Sequence, residues 1–246
     1  VTEGTVRSVD CSPQSITASI DASLARLQTD HIDLLYLHRF DPKVPVADSI
    51  GALARAIEAG KIGSYGVSEW SAAHIREAHA VHPMAAVQTE YSLWTRNVEL
   101  AVLETTRELD IAFIAFSPVG RGGLCGELVD PAALPESDFR RIMPRFMGGN
   151  WVANRALVDK LVALAAEAGV TAAQLALAWV LARGEHVHVI PGTADLRHLE
   201  DNYRAGEITV SQDVLDRADA LINEETVRGH RYPEAMRVLA DTEEYA

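Results

Sequence analysis

Ile32-Asp33-Leu34-Leu35-Tyr36-Leu37-His38, followed at once by Arg39 and Asp41-Pro42, is a short apolar run closed by polar residues and a proline. Such a run reads as a buried strand, and its last residue emerges at the carboxyl end. In a parallel α/β fold that end is where chemistry is done. An imidazole placed there can donate a hydrogen bond to a carbonyl oxygen or carry a proton near neutral pH. Taken alone, His38 has a plainer reading as a strand-end histidine satisfied by a backbone group.

On either side of this strand, helical and extended patterns alternate with short connections. Ser12-Pro13 supplies an N-cap and a first-turn proline for a helix over 14–27, with Ile16, Ile20, Leu24 and Leu27 on one face. A helix over 46–59 stops at Gly60, and 62–67 is the next strand. Ser71 caps a helix to about residue 80, strand 85–88 follows, and a helix capped near Asn97 leads to strand 111–116. A Gly/Pro-rich stretch over 120–149 precedes helices over 151–168 and 171–182, strand 186–190, a helix ending near Ala205, a helix over 211–224 and a polar tail. These are five β/α units, whereas a closed β/α barrel needs eight. Five strands also suit an open doubly wound sheet, but no GxGxxG follows any of them.

Composition narrows the function classes. At 246 residues and 48% hydrophobic, the chain can bury one large core, and a single domain over 1–246 is expected. The excess of 35 acidic over 22 basic residues, a formal charge of −13, argues against a nucleic-acid or anionic-membrane partner. Cys11 and Cys125 fall in no CxxC or Cys/His spacing, so they read as reduced thiols without a metal, which fits a cytoplasmic protein. No run approaches the ~18 apolar residues of a membrane span, and the N-terminus, with Glu3 and no apolar stretch, does not read as a signal peptide.

The strand ends carry His38, Ser68-Glu69-Trp70, Gln88-Thr89-Glu90-Tyr91, Phe116-Ser117-Pro118 and Pro191-Gly192-Thr193. With Leu35-Tyr36-Leu37-His38, Gly66-Val67-Ser68-Glu69-Trp70, Gln88 to Trp94, Phe116 to Gly122, Ile190 to Thr193 and Leu199-Glu200-Asp201-Asn202, the chain resembles the aldo-keto reductases. The resemblance runs from about Ser12 to the tail segment Arg231-Tyr232-Pro233-Glu234-Ala235. It implies a (β/α)8 barrel of the TIM type, entered at about its third helix and incomplete at the N-terminus. The implied activity is hydride transfer from NADP or NAD to a small aldehyde or ketone.

The resemblance also assigns residues. It implies that His38 orients and polarises the substrate carbonyl, and that Ser68, Glu69 and Gln88 hold the nicotinamide carboxamide. The Gln88 amide can both donate and accept there, while Glu69, where many relatives have Asn, can only accept. Phe116 takes the place of the ring that stacks on nicotinamide, commonly Tyr, and keeps the π face. Ser117, Pro118, Val119, Gly120, Arg121 and Gly122 are implied to hold the pyrophosphate; without the resemblance this segment is an ordinary loop. Gly192 and Thr193 precede a helix whose N-terminal amides suit the adenosine-side phosphate, and Asp201 and Asn202 match adenine contacts. His198 stands where NADP-preferring relatives often have Arg, and Ala194-Asp195 replaces their Lys or Arg, so strong NADP selectivity is not expected.

The family's proton-donating Tyr, with its Asp and Lys, comes from the first barrel strands, a region that would precede Val1. The expectation is therefore a fragment of a longer chain, Val1 fitting a GTG start inside a longer frame. Five strands alone would leave open edges for self-association. The alternative to a reductase is a catalytically inactive dinucleotide-binding or assembly module. A metal-dependent barrel hydrolase is a weaker alternative, since only His38, Glu69 and Glu90 come near a ligand cluster.

Overall fold

The computed structural model of the chain describes residues 9–128 and 130–245, so the reading of Val1 and Glu3 lies outside the described residues. Among the described residues the fold is α/β with five parallel strands in the order β1-β2-β3-β4-β5. Two compact units divide the chain. The first, drawn from Val1–Gln88, Ala101–Ala112 and Leu239–Glu243, contains α1 (Pro13–Leu27), β1 (Ile32–Leu37), α2 (Val46–Glu58), β2 (Ile62–Ser68), α3 (Ala72–Val81) and α4 (Val102–Glu108). β3 (Ala86–Glu90) begins in this unit, as does β4 (Ala112–Phe116). The second, from Thr89–Leu100, Phe113–Val238 and Glu244–Ala246, contains the ends of those two strands, α5 (Gly148–Glu167), α6 (Ala172–Leu181), β5 (Val187–Ile190), α7 (Leu196–Arg204), α8 (Gln212–Leu221) and α9 (Glu234–Arg237).

In the first unit β1, β2 and β3 pair in parallel, with Leu37 opposite Val67 and Ser68 opposite Gln88. The Ala112 amide bonds to the Ala85 carbonyl there, which starts β4 beside β3. A parallel strand is covered on both faces, and β2 accordingly buries Ile62, Tyr65, Val67 and Ser68 from consecutive sides. Ile16 and Ile20 of α1, Ile50 and Leu53 of α2 and Ile75 of α3 supply the helical side of this core. The predicted Ser12 cap is present, its side chain accepting from the Ser15 amide, and Gln28 ends α1 in the left-handed region.

In the second unit β4 pairs with β5, Phe116 opposite Ile190. Its core gathers Tyr91, Leu93, Phe113, Leu161, Leu175 and Trp179, and the guanidinium carbons of Arg96 and Arg183 lie 4.4 and 3.9 Å from the Trp179 ring centroid. The Gly/Pro-rich stretch folds as four short 3-10 turns, Gly120–Cys125, Pro131–Ala133, Phe139–Ile142 and Pro144–Phe146.

Three helices differ from the sequence reading. The one expected from Asn97 splits into a 3-10 turn, Asn97–Leu100, and α4, because Ala101 leaves helical dihedrals at φ −159°. The helix expected from residue 151 starts at Gly148, since its two glycines and Asn150 hide the apolar period. The one expected directly after Gly192-Thr193 starts at Leu196 with Asp195 as its N-cap.

Candidate functional site

In the first unit, register alone aligns the predicted nicotinamide-side residues. Leu37 pairs with Val67, so His38 follows β1 at the level where Ser68 ends β2, and Ser68 faces Gln88 on β3. Arg39 bridges the two strand ends: its Nη1 donates to the His38 carbonyl and, at 3.3 Å, to Ser68 Oγ. His38 itself is exposed. Partial desolvation, and next the Arg39 charge, move its imidazole below the ordinary value of 6.5, with Glu69 opposing. A neutral ring at pH 7 is the form that donates to a carbonyl without giving up its own proton.

Glu69 is fully buried and takes φ +61°, uncommon for a residue with a side chain. Its backbone is held on both sides, the amide bonding to the Gln88 carbonyl at 3.1 Å and the carbonyl accepting from Asp241 N–H at 2.9 Å. Asp241 and Glu243 also replace the side-chain cap expected from Ser71: their carboxylates accept from the Ser71 and Ala72 amides at 2.8 Å each. Ser71 Oγ turns instead to His74 Nδ1, 3.0 Å away.

Tyr36, which in the sequence is only an interior residue of the first strand motif, also bears on this site. Its ring lies over Gly66, where an added Cβ would sit 2.5 Å from Cε1. Burial raises its phenol, and a hydrogen bond from Gln88 opposes that shift. Tyr36 thus orients the Gln88 amide, a contact that the two-residue strand period makes legible only once the β1/β3 alignment is known. A groove of about 360 Å³ beside His38 touches Leu35, Tyr36 and Leu37, residues of both strand faces, so it follows the edge of β1 and is not a substrate pocket.

The second unit holds a cavity of about 590 Å³ at the ends of β4 and β5. Of the predicted residues, Val119, Arg121, Gly122, Gly192, Thr193, His198, Asp201 and Asn202 line it. Ser117, Pro118 and Gly120 do not; Pro118 and Gly120 are buried beneath the loop. Phe116 and Ser117 are half-buried at the end of β4, and Ser117 takes φ +50°. Glu127, Arg140, Cys125 and Thr171 also line the cavity and were not foreseen, since they lie in irregular chain or at a helix cap without a motif.

The charges around the cavity are nearly balanced. Arg121 sends Nη1 and Nη2 to the buried Glu90 carboxylate at 3.1 and 2.8 Å, so its fork is directed at protein. Arg140 pairs with Asp138 at 2.8 Å, and His198 Nε2 lies 3.3 Å from Glu127. Asp201 accepts from Thr171 Oγ1 at 2.7 Å, and Thr171 and Gln174 form a capping box at the start of α6. The α7 N-terminus carries its own anion: Asp195 accepts from the Arg197 amide at 2.8 Å and is held down to about 2, first by the Arg197 side chain. One of the helix amides expected for the phosphate, that of Arg197, is therefore taken by a carboxylate. Burial pushes the Cys125 thiol up to about 12, so it packs as a neutral group.

The donor set fits a dinucleotide. Backbone turned left-handed at Arg121 and Gly122, a cavity of ligand size, and Thr193 and Asn202 in its lining suit a phosphate and a polar base, with little surplus positive charge.

Comparison with known proteins places this geometry in a family. The model of the aldo/keto reductase family matches residues 3–223. The chain is 38% identical over 235 residues to aldo-keto reductase str7 of Strobilurus tenacellus, covering 94% of this chain and 70% of that protein. It is 40% identical over 240 residues to aldo-keto reductase yakc [NADP(+)] of Schizosaccharomyces pombe, covering 96% and 71%. Among solved structures, the glycerol dehydrogenase AKR11B4 from Gluconobacter oxydans superposes with a TM-score of 0.80 at 26% identity, over 86% of this chain and 64% of that one. Parallel strands with chemistry-bearing carboxyl ends, family-wide sequence match and structural likeness agree: the chain belongs to the aldo/keto reductase family, a family of oxidoreductases with the TIM-barrel fold.

Proposed function

We propose that this protein reduces a small aldehyde or ketone to an alcohol with a reduced nicotinamide dinucleotide, and that it uses NADH at least as well as NADPH. The observation that carries the reading is the cavity at the ends of β4 and β5, which gathers two motifs far apart in sequence, 119–122 and 192–202. When bound, the nicotinamide supplies the hydride. His38, neutral and exposed at the end of β1, donates a hydrogen bond to the substrate oxygen and fixes the carbonyl's orientation, and the alkoxide left by hydride transfer takes its proton from water at this solvent-exposed position. Partial desolvation and then Arg39 beside it keep the ring neutral, and the Arg39 charge favours negative charge developing on that oxygen. Ser68 and Gln88 are aligned to hold the carboxamide, with Gln88 oriented by Tyr36. Phe116 offers an aromatic face.

The preference for NADH rests on charge. A 2′-phosphate brings about two negative charges, and Glu127 and Asp201 in the cavity lining, with Asp195 next to the lining residue Ala194, would repel it. Arg197, the nearest candidate, is already paired with Asp195 at 2.8 Å. Titration of the protein with NADH and NADPH by fluorescence tests the reading, with NADH the tighter or the two equal. A large preference for NADPH would refute the cofactor assignment. Binding without turnover on any simple carbonyl would favour a non-catalytic module.

A further inference from the structure

Glu90 lies two residues beyond Gln88 at the end of β3 and is fully buried. Burial alone would raise its carboxyl, but Arg121, Arg231 and Arg145 together bring it below the ordinary value of 4.5. Both carboxylate oxygens meet Arg121, Oε1 also accepts from Thr95 Oγ1 at 3.1 Å, and Arg121 Nη2 reaches Tyr232 Oη at 3.4 Å. Arg121 has φ +57°, between Gly120 at +57° and Gly122 at +82°. The two glycines take the left-handed region freely, but at Arg121 it is costly unless the surroundings fix it.

Two contacts do fix it. Beneath the loop, Trp94 lies so close that a Cβ at Gly120 or Gly123 would fall 2.4 or 2.1 Å from its ring. Above it, the Arg121 fork is drawn back onto Glu90, and Arg140 Nη1 donates to the Arg121 carbonyl at 3.3 Å. A bidentate guanidinium–carboxylate pair sets direction as well as distance. It is thus geometrically suited to hold a strained turn.

We propose that Glu90 is a positioning residue for cofactor binding: through Arg121 it locks the 117–126 loop in its phosphate-receiving shape, so that Arg121 anchors the loop and is not itself the main phosphate ligand. This rests on the proposed dinucleotide function. The two roles of Arg121 predict opposite outcomes for Glu90→Gln. An anchor lost with its carboxylate partner weakens dinucleotide binding, whereas a phosphate ligand released from Glu90 strengthens it.

The test compares wild type, Glu90→Gln, Arg121→Lys and the double variant, after circular dichroism shows that each is folded. Hydrogen exchange of peptides covering 117–126 and the NADH dissociation constant are measured for each. The expected result is faster exchange in that loop by at least tenfold with peptides of α1 and β1 unchanged, and NADH binding weakened at least tenfold in both single variants. The double variant should be no worse than either single one, and cofactor KM should rise by more than kcat falls. Unchanged loop exchange in Glu90→Gln, equal or tighter NADH binding, or additive losses in the double variant would overturn the proposal. Faster loop exchange in a protein whose wild type binds no dinucleotide would uphold the lock and refute the cofactor reading instead.

Discussion

His38 shows how much a single side chain depends on its neighbours. The ring is exposed, yet partial desolvation and the adjacent Arg39 hold it below 6.5, so the neutral donor persists at pH 7. Replacing it with alanine should lower kcat by about 10²- to 10⁴-fold, the usual contribution of a positioned acid–base group, and leave NADH affinity within about threefold. Lost cofactor affinity with retained turnover would remove His38 from the chemistry. By NMR, its titration midpoint should lie below 6.5 and move upward in Arg39→Ala. Asp195→Lys tests the proposed seat of the cofactor's 2′-position: it removes an anion and adds a cation, and should raise NADPH affinity relative to NADH by about tenfold or more. No change in the ratio would place the 2′-position elsewhere. At this scale the sequence revealed residue types but not directions. Arg121 reads as a phosphate ligand because a guanidinium suits phosphate, and only the fold shows that Glu90, 31 residues earlier, takes its fork.

At the scale of elements, strands and most helices follow from periodicity and caps. Ile32–Leu37, Ile62–Ser68 and Ala112–Phe116 agree with the apolar runs to within a residue at each end, and Ser12-Pro13 marks α1. The exceptions have local causes. Asp195 competes for the start of α7 as a stronger N-cap than Gly192 or Thr193, and Ser71 yields its capping role to the carboxylates of Asp241 and Glu243, far along the chain. No pattern around Ser71 announces a tail that distant. The loop after β4 was legible as a Gly-rich segment, but its seat on Trp94 was not. Gly123→Ala tests that seat. The added methyl has no room beside the indole, so a loss of about 1–3 kcal/mol is expected in urea denaturation, typical of overpacking. A variant as stable as wild type would mean that the loop lifts freely from Trp94.

For the molecule as a whole, the parallel α/β design and the family were readable from five strand-end motifs in order, because each is fixed to its strand and the strands pair in chain order. Division into two compact units was not, since β3 and β4 each pass through both without a change in composition. Stability should depend on acid pH through Glu90. Its folded carboxyl titrates below 4.5, so as pH falls below that value the unfolded chain takes a proton that the folded chain refuses, and stability declines through the window. Urea midpoints measured from pH 6 downward should therefore fall less steeply in Glu90→Gln than in wild type. Equal slopes would show that the Glu90–Arg121 pair does not set the acid response.

Carbonyl reduction by direct hydride transfer is checked by supplying NADH deuterated at the transferable position with a panel of simple aldehydes and ketones and analysing the products by mass spectrometry. Wild type should form an alcohol carrying one deuterium on the former carbonyl carbon, and His38→Ala should form far less of it. Saturable NADH binding with no deuterated alcohol from any substrate would contradict this reaction.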